Sequence, residues 1–229
     1  MSVNQPELSV NKLAEYIISK GARQRKILKD RKYPDEDFQM GMFHREASEA
    51  VRAYLAGGCI DPSAAENQIA ILKQQTPEKI GTIRRVNANI DALERFLDML
   101  DDIDLAGGEP EHASHSAEKL TFHGVKISVR PEIILRGVGP KGRKLVGAVK
   151  LHFTKSFPMT EESAGYVSAT VQEYCKLHVA AADETVFSEY CKVIDIGCGK
   201  VFSGVKATTA RMKDISSECE NIAALWPTI

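Results

Sequence analysis

Neither charge is in excess in this chain. Thirty Lys and Arg stand against thirty-one Asp and Glu, a formal net charge of −1, so bulk charge argues neither for nor against a polyanionic partner, and only its distribution can speak. Long apolar runs are missing too. Nothing approaches the roughly 18 or more apolar residues of a membrane span, and MSVNQPELSV lacks the basic-then-apolar layout of a signal peptide, which points to a cytoplasmic protein with no membrane partner. Cysteine is scarce: Cys59, Cys175, Cys191, Cys198 and Cys219, an odd number without a CxxC pair. That pattern argues against a disulfide framework, a zinc knuckle or an iron–sulfur cluster, and leaves small buried or half-buried residues. There is no internal repeat and no low-complexity tract. What remains, 229 residues of which 43% are hydrophobic and 27% charged, suffices for a real core and excludes disordered and fibrous classes.

The first hundred residues read as helical. Leu8 to Asp30 carries apolar residues at helical spacing with a break at Gly21, and Phe38 to Leu55 is amphipathic with Gly57-Gly58 as its stop. A third helix starts at Asp61-Pro62-Ser63 and runs to about Gln74, and a long fourth runs from Thr76 or Glu78 to Leu105. Ala106 to Ala117, AGGEPEHASHSA, has the composition of a linker or exposed loop. Strand patterns then follow at Leu120–Phe122, Val125–Val129, Ile133–Leu135 and Leu145–Phe153, a helix at Glu161–Ala181, a short hairpin at Val193–Ile196 and Val201–Phe202, and a closing helix at Thr208–Leu225. The expected organisation is one domain over 1–229, with a basic helical N-terminus at 1–37 and a helical insertion and acidic linker at 59–117.

Two stretches are basic. KGARQRKILKDRK, Lys20 to Lys32, holds seven basic residues and one acid, and Arg136 to Lys155 holds six and none. A charge run is ordinarily a solvated face. The second stretch brackets a strand lysine, where positive potential attracts a phosphate backbone. Arg23, Arg25, Lys26, Lys141, Arg143, Lys144 and Lys155 are the candidate nucleic-acid contacts.

Val193-Ile-Asp195-Ile-Gly197-Cys-Gly199-Lys resembles the strand and glycine loop with which methyltransferases hold S-adenosylmethionine. Such a loop must open into a helix and further strand–helix units. Here only thirty residues follow Gly199, so a tight hairpin is the better reading and a methyltransferase the lesser alternative.

Four features occur in the order found in the RecB-like exonuclease branch of the PD-(D/E)xK nuclease superfamily, across roughly residues 38–226. Gly41-Met-Phe43-His44-Arg-Glu46 resembles its helix, in which a histidine is a metal ligand. Val125 to Leu135, with Glu132, resembles its second core strand, where glycine, two residues and aspartate are the pattern. Gly147-Ala148-Val149-Lys150 resembles its third strand, where an acid, any residue and lysine are the pattern. The helix from Glu161 and the strand at Val193 complete an αβββαβ core.

The resemblance implies a mixed α/β fold, a PD-(D/E)xK-like core sheet flanked by helices, and phosphodiester hydrolysis by Mg²⁺ or Mn²⁺. Carboxylates and His44 would hold the metal, which lowers the pKa of the attacking water, and Lys150 would orient that water or neutralise developing charge. On a strand Ala148, Lys150 and His152 share a face, expected to look towards Glu132 and His44. The departures are equally specific. Ala148 replaces the second acid, Val129 the glycine and Glu132 the aspartate, and the helix lacks the Gln-x-x-x-Tyr pair. Two function classes stay open. One is a protein that binds DNA, RNA or a protein partner in a DNA-processing or defence complex, with weak or no cleavage. The other is an active metal-dependent exonuclease in which Glu46, Glu49, Glu161 or Glu173 supplies the missing carboxylate.

Overall fold

The computed structural model describes residues 3–34, 43–114 and 118–229. Within them the chain runs β1 (Glu7–Ser9), α1 (Val10–Ile18), α2 (Gly21–Lys32), α3 (Arg45–Ala56), α4 (Ser63–Lys73), α5 (Ile80–Asp98), β2 (Glu109–His112), β3 (Leu120–Phe122), β4 (Val125–Ser128) and β5 (Ile133–Val138). There follow β6 (Lys144–His152), α6 (Glu161–His178), β7 (Glu184–Val186), β8 (Val193–Asp195), β9 (Lys200–Phe202) and α7 (Thr209–Leu225). The class is mixed α/β, as expected.

The larger sheet has the order β2-β5-β6-β8-β9, with β7 also on β6. β2, β5 and β6 form an antiparallel meander, and α6 carries the chain back so that β7 and β8 lie parallel to β6. β7 pairs with Lys144–Val146 and β8 with Lys150–His152, and the chain between them crosses the gap. Gly147 sits in that gap because a Cβ there would lie 2.4 Å from the Tyr190 Cβ and 2.8 Å from its carbonyl carbon. A smaller sheet, β1-β4-β3, is built from the hairpin inserted between β2 and β5, with β1 running parallel to β4.

Strand β6 separates two cores. Leu145, Val149 and Leu151 pack with α3, α4 and α5, whereas Val146 and Ala148 pack with α1, α2, α6, α7 and the small sheet. This is the period-two alternation of a strand buried on both faces, hence its nearly unbroken apolar sequence. Local signals set the helix ends. Ser9 caps α1 by accepting from Lys12 N–H, and Thr160 and Ser163 form a capping box on α6. In α3, Ala47, Ala50, Val51, Tyr54 and Leu55 make one buried face.

Several expectations need correction. Glu7–Ser9 is a strand, and the first helix breaks at Ser19–Lys20. The fourth helix ends at Asp98. The stretch read as a linker contains β2, the first strand of the meander, paired residue for residue with β5 from Glu109↔Arg136 to His112↔Ile133. Its Pro110 and charged residues suit an edge strand, and that chemistry resembles a loop in sequence. The span assigned to one second core strand is two elements in different sheets, β4 and β5, with Glu132 in the connection between them. The Phe38–Met42 part of the second helix and Gly41 of the histidine motif lie outside the described residues.

Candidate functional site

Glu132 and Lys150 are brought together. The Glu132 N–H donates to Val149 O at 3.0 Å, which sets its carboxylate beside the end of β6. Oε1 accepts from Lys150 Nζ at 2.7 Å and Oε2 from the Leu151 N–H at 2.7 Å. The ammonium also donates to Arg130 O at 2.8 Å. Arg130, before Pro131, holds a left-handed φ of 42°, a conformation that costs a non-glycine residue about 1–2 kcal/mol.

The register explains the arrangement. β5 pairs with β6 only as far as Val149, and the Lys150 N–H turns the other way, to Lys192 O. The Leu151 peptide therefore faces the side where β5 has ended. Its N–H is taken by Glu132 and its C=O by Asn11 Nδ2 of α1, at 3.0 Å. The Glu132–Lys150 pair is a clamp that joins the β4–β5 connection to β6, with side chains only 14% and 10% exposed, and it satisfies buried polar groups that the ladder leaves open.

His44 does not join them. Its ring stacks on Phe153 with centroids 5.2 Å apart and planes at 14°, and meets Phe43 edge-on. Phe153 and the buried face of α3 belong to the core on the opposite side of the sheet from Ala148 and Lys150. Burial, then the charge of His152, pushes the His44 pKa below the usual histidine value, against a smaller opposite pull from Asp91. His44 Nδ1 is buried without a hydrogen-bond partner among the described residues. Asp91 itself is disfavoured as a carboxylate by burial, yet bonds from Lys155 and Arg95 hold its pKa below the usual range.

These residues do not fit a divalent metal ion. Both Glu132 oxygens are occupied by N–H donors, Ala148 is fully buried among apolar side chains, and His44 lies across the sheet. Among the described residues no group of three or more His, Cys, Asp or Glu is placed to hold a metal. Of the acids considered as replacements, Glu46 pairs with Arg85 through one oxygen, Glu49 pairs with Arg45 and Glu173 with Lys176, and Glu161 stands in the first turn of α6.

No protein-family model matches the chain, and no curated protein matches it.

The two basic stretches differ once folded. In the second, Arg136 binds Glu111 and Glu184, Lys144 binds Asp183, Lys150 binds Glu132 and Lys155 binds Asp91. Lys141 and Arg143, at the β5–β6 turn, are its cations without a partner among the described residues. In the first, Arg23 is committed to the buried carboxylate of Glu15, and Lys26 makes an exposed pair with Asp30. The side chains of Lys20, Arg25 and Lys29 have no partner among the described residues.

The glycine loop is the expected hairpin: β8 and β9 are antiparallel, with Gly199 at φ +66°. The group that holds it was missed in sequence. Asp195 is fully buried, with Oδ2 accepting from Met159 N–H at 2.7 Å and from the Cys198 thiol at 3.1 Å, and Oδ1 accepting from Cys198 N–H at 3.3 Å. Burial, then the bond to Asp195, pushes the Cys198 thiol up to about 11, which disfavours the thiolate. An aspartate preceding Gly-Cys-Gly is the signal, because Asx side chains bond their own turn backbone.

Proposed function

We propose that this chain is a divergent nuclease-fold protein of the RecB-like PD-(D/E)xK type that binds nucleic acid and does not cleave it. The αβββαβ element order, formed by α3, β2, β5, β6, α6 and β8 with α4–α5, β3–β4 and β7 as additions, supports the fold half of this reading. One observation carries the absence of cleavage. The carboxylate and the lysine that would serve catalysis consume each other, Oε1 on Nζ and Oε2 on a backbone N–H. The five cysteines are free thiols, in keeping with a reducing compartment, and the cytoplasm is the address we propose. No helix among the described residues is long and apolar enough to cross a membrane.

The test incubates end-labelled single- and double-stranded DNA and RNA with the protein and Mg²⁺ or Mn²⁺, beside Lys150→Met. The expected result is no cleavage by either protein and retention of nucleic acid at low salt. Cleavage that Lys150→Met abolishes would overturn the proposal in favour of a working exonuclease. Absence of binding at low salt would overturn it in favour of a protein partner.

A further inference from the structure

Helix α2 is poorly suited to stand alone. It has no side-chain cap and no acid in its first turn, only Ile27 and Leu28 are buried, and Arg25 and Lys29 repel across one turn. Docking holds it: Gln24 donates to Tyr16 O, Arg31 to Glu7 O at 3.1 Å, and Lys32 to Trp226 O at 2.7 Å, with Lys32 also over the Trp226 ring. Every group that faces inward is apolar or satisfied. The outward side carries the exposed positions Ala22, Arg25, Lys26 and Lys29, the spacing of one helix face, with Lys20 at its start. Over residues 12–32, eight cations stand against two carboxylates, Glu15 and Asp30.

We infer that this outer face of α2 is where the molecule grips the phosphate backbone of a nucleic acid, an assignment that rests on the binding reading above and locates it. The helix is about 18 Å long, at ~1.5 Å per residue, enough to pass several phosphates at about 3.4 Å of duplex axis per strand. The face has no aromatic or amide side chain, its one carboxylate, Asp30, is held by Lys26, and no hydrogen bond or ion pair among the described residues holds Arg25 or Lys29 in a geometry that would read a base edge, so sequence preference is slight. An anionic lipid surface is a poorer fit, because Ile27 and Leu28 point inward and the face has no large apolar side chain to insert. The β5–β6 stretch is the poorer electrostatic fit, since acids neutralise four of its six cations.

The experiment compares wild type, Lys20→Gln/Arg25→Gln/Lys29→Gln and Lys141→Gln/Arg143→Gln by fluorescence anisotropy on one labelled DNA duplex and one labelled single strand, over a salt series. Glutamine keeps helix propensity, and the three side chains make no hydrogen bond or ion pair among the described residues, so the melting temperature should not fall. Lys29→Gln alone serves if the triple variant does not fold. The α2 variant should lose roughly tenfold in affinity per contact at about 50 mM salt, and its log–log salt slope should be shallower by about 2.7 on duplex or 2.1 on single strand. The β5–β6 variant should stay near wild type. Wild-type binding that the α2 variant retains with the same slope overturns this inference and leaves the proposed function standing. Equal losses in both multiple variants also overturn it. Wild type that binds no nucleic acid at low salt overturns both readings, and binding only to vesicles containing anionic lipid overturns both in favour of a membrane surface.

Discussion

Lys150→Met removes an ammonium that donates to Glu132 Oε1 at 2.7 Å and to Arg130 O at 2.8 Å, and it leaves a carboxylate only 14% exposed with the Leu151 N–H as its partner. Hydrogen bonds to a charged group contribute about 1.5–3 kcal/mol each, and breaking a buried pair from one side costs about 3–5 kcal/mol. The expected loss is therefore about 3–4 kcal/mol. Glu132→Gln strands the ammonium instead, and its amide must choose between offering oxygen to Lys150 or to Leu151, for a loss of about 2–3 kcal/mol. The double variant should lose far less than the sum. Its glutamine oxygen keeps the Leu151 N–H and no charge stays buried, so the coupling should be about 2 kcal/mol or more. Urea unfolding followed by far-UV circular dichroism reads this out. With a slope of about 2–3 kcal/mol per molar, 3 kcal/mol moves the midpoint by roughly 1–1.5 M. Single variants that each lose less than about 1 kcal/mol with no coupling would refute the clamp. A gain in stability for Lys150→Met would be stronger refutation, because residues retained for activity are the ones whose removal stabilises.

Ala148→Asp should destabilise by about 3–5 kcal/mol, since the new carboxylate enters an apolar core beside a lysine already taken by Glu132; calorimetry should show no Mn²⁺ binding, and binding with recovered melting temperature would mean a metal site one ligand short. Gly147→Ala should cost about 1–3 kcal/mol by overpacking, because the obstruction is the Tyr190 backbone and Cβ, measurable as a lower melting temperature. His44 has a depressed pKa, so its contribution to stability is intact above about 6.5, the unfolded value, and is lost as pH falls through the lower folded value. His44→Phe should flatten that part of the pH–stability curve, and an unchanged slope would show that His44 is not the group responsible. Lys141 holds a φ of +63°, so Lys141→Gly should stabilise by about 0.5–1 kcal/mol after the added flexibility of glycine in the unfolded chain, visible as a higher melting temperature.

Periodicity made much of this architecture legible. The helices α3 and α5, the doubly buried β6 and the hairpin of β8 and β9 all follow from spacing and turn chemistry. β2 was illegible because an edge strand is written in prolines and charges, and β1 and β7 because each offers a single apolar residue, Leu8 or Val186, and so no alternation. In the candidate site, alternation along β6 placed Ala148 and Lys150 on one face, and motif order placed Glu132 beside them. That Glu132 would spend both oxygens on β6 depends on where β5 stops pairing, a register no local pattern encodes. The side on which His44 falls depends likewise on which face of the sheet α3 covers. The strand lysine that it brackets favoured Arg136–Lys155 in the sequence, yet the carboxylates that neutralise it, Glu111, Asp183 and Glu184 among them, come from other segments.

The parallel pairing of β1 with β4 puts the molecule on a clock during synthesis. Leu8 is fully buried only because Ile127 lies beside it and α6 and α7 close over the same core. At the usual ~5–20 residues per second, β1 waits on the order of ten seconds for β4 to be made. Through that interval α1 and the highly basic α2 are outside the ribosome with no core to dock on. The α3–α4–α5 unit has its near-neighbour contacts available early and can consolidate first. A nascent chain halted before residue 125 should therefore expose its first thirty residues to protease while α3–α5 is already protected.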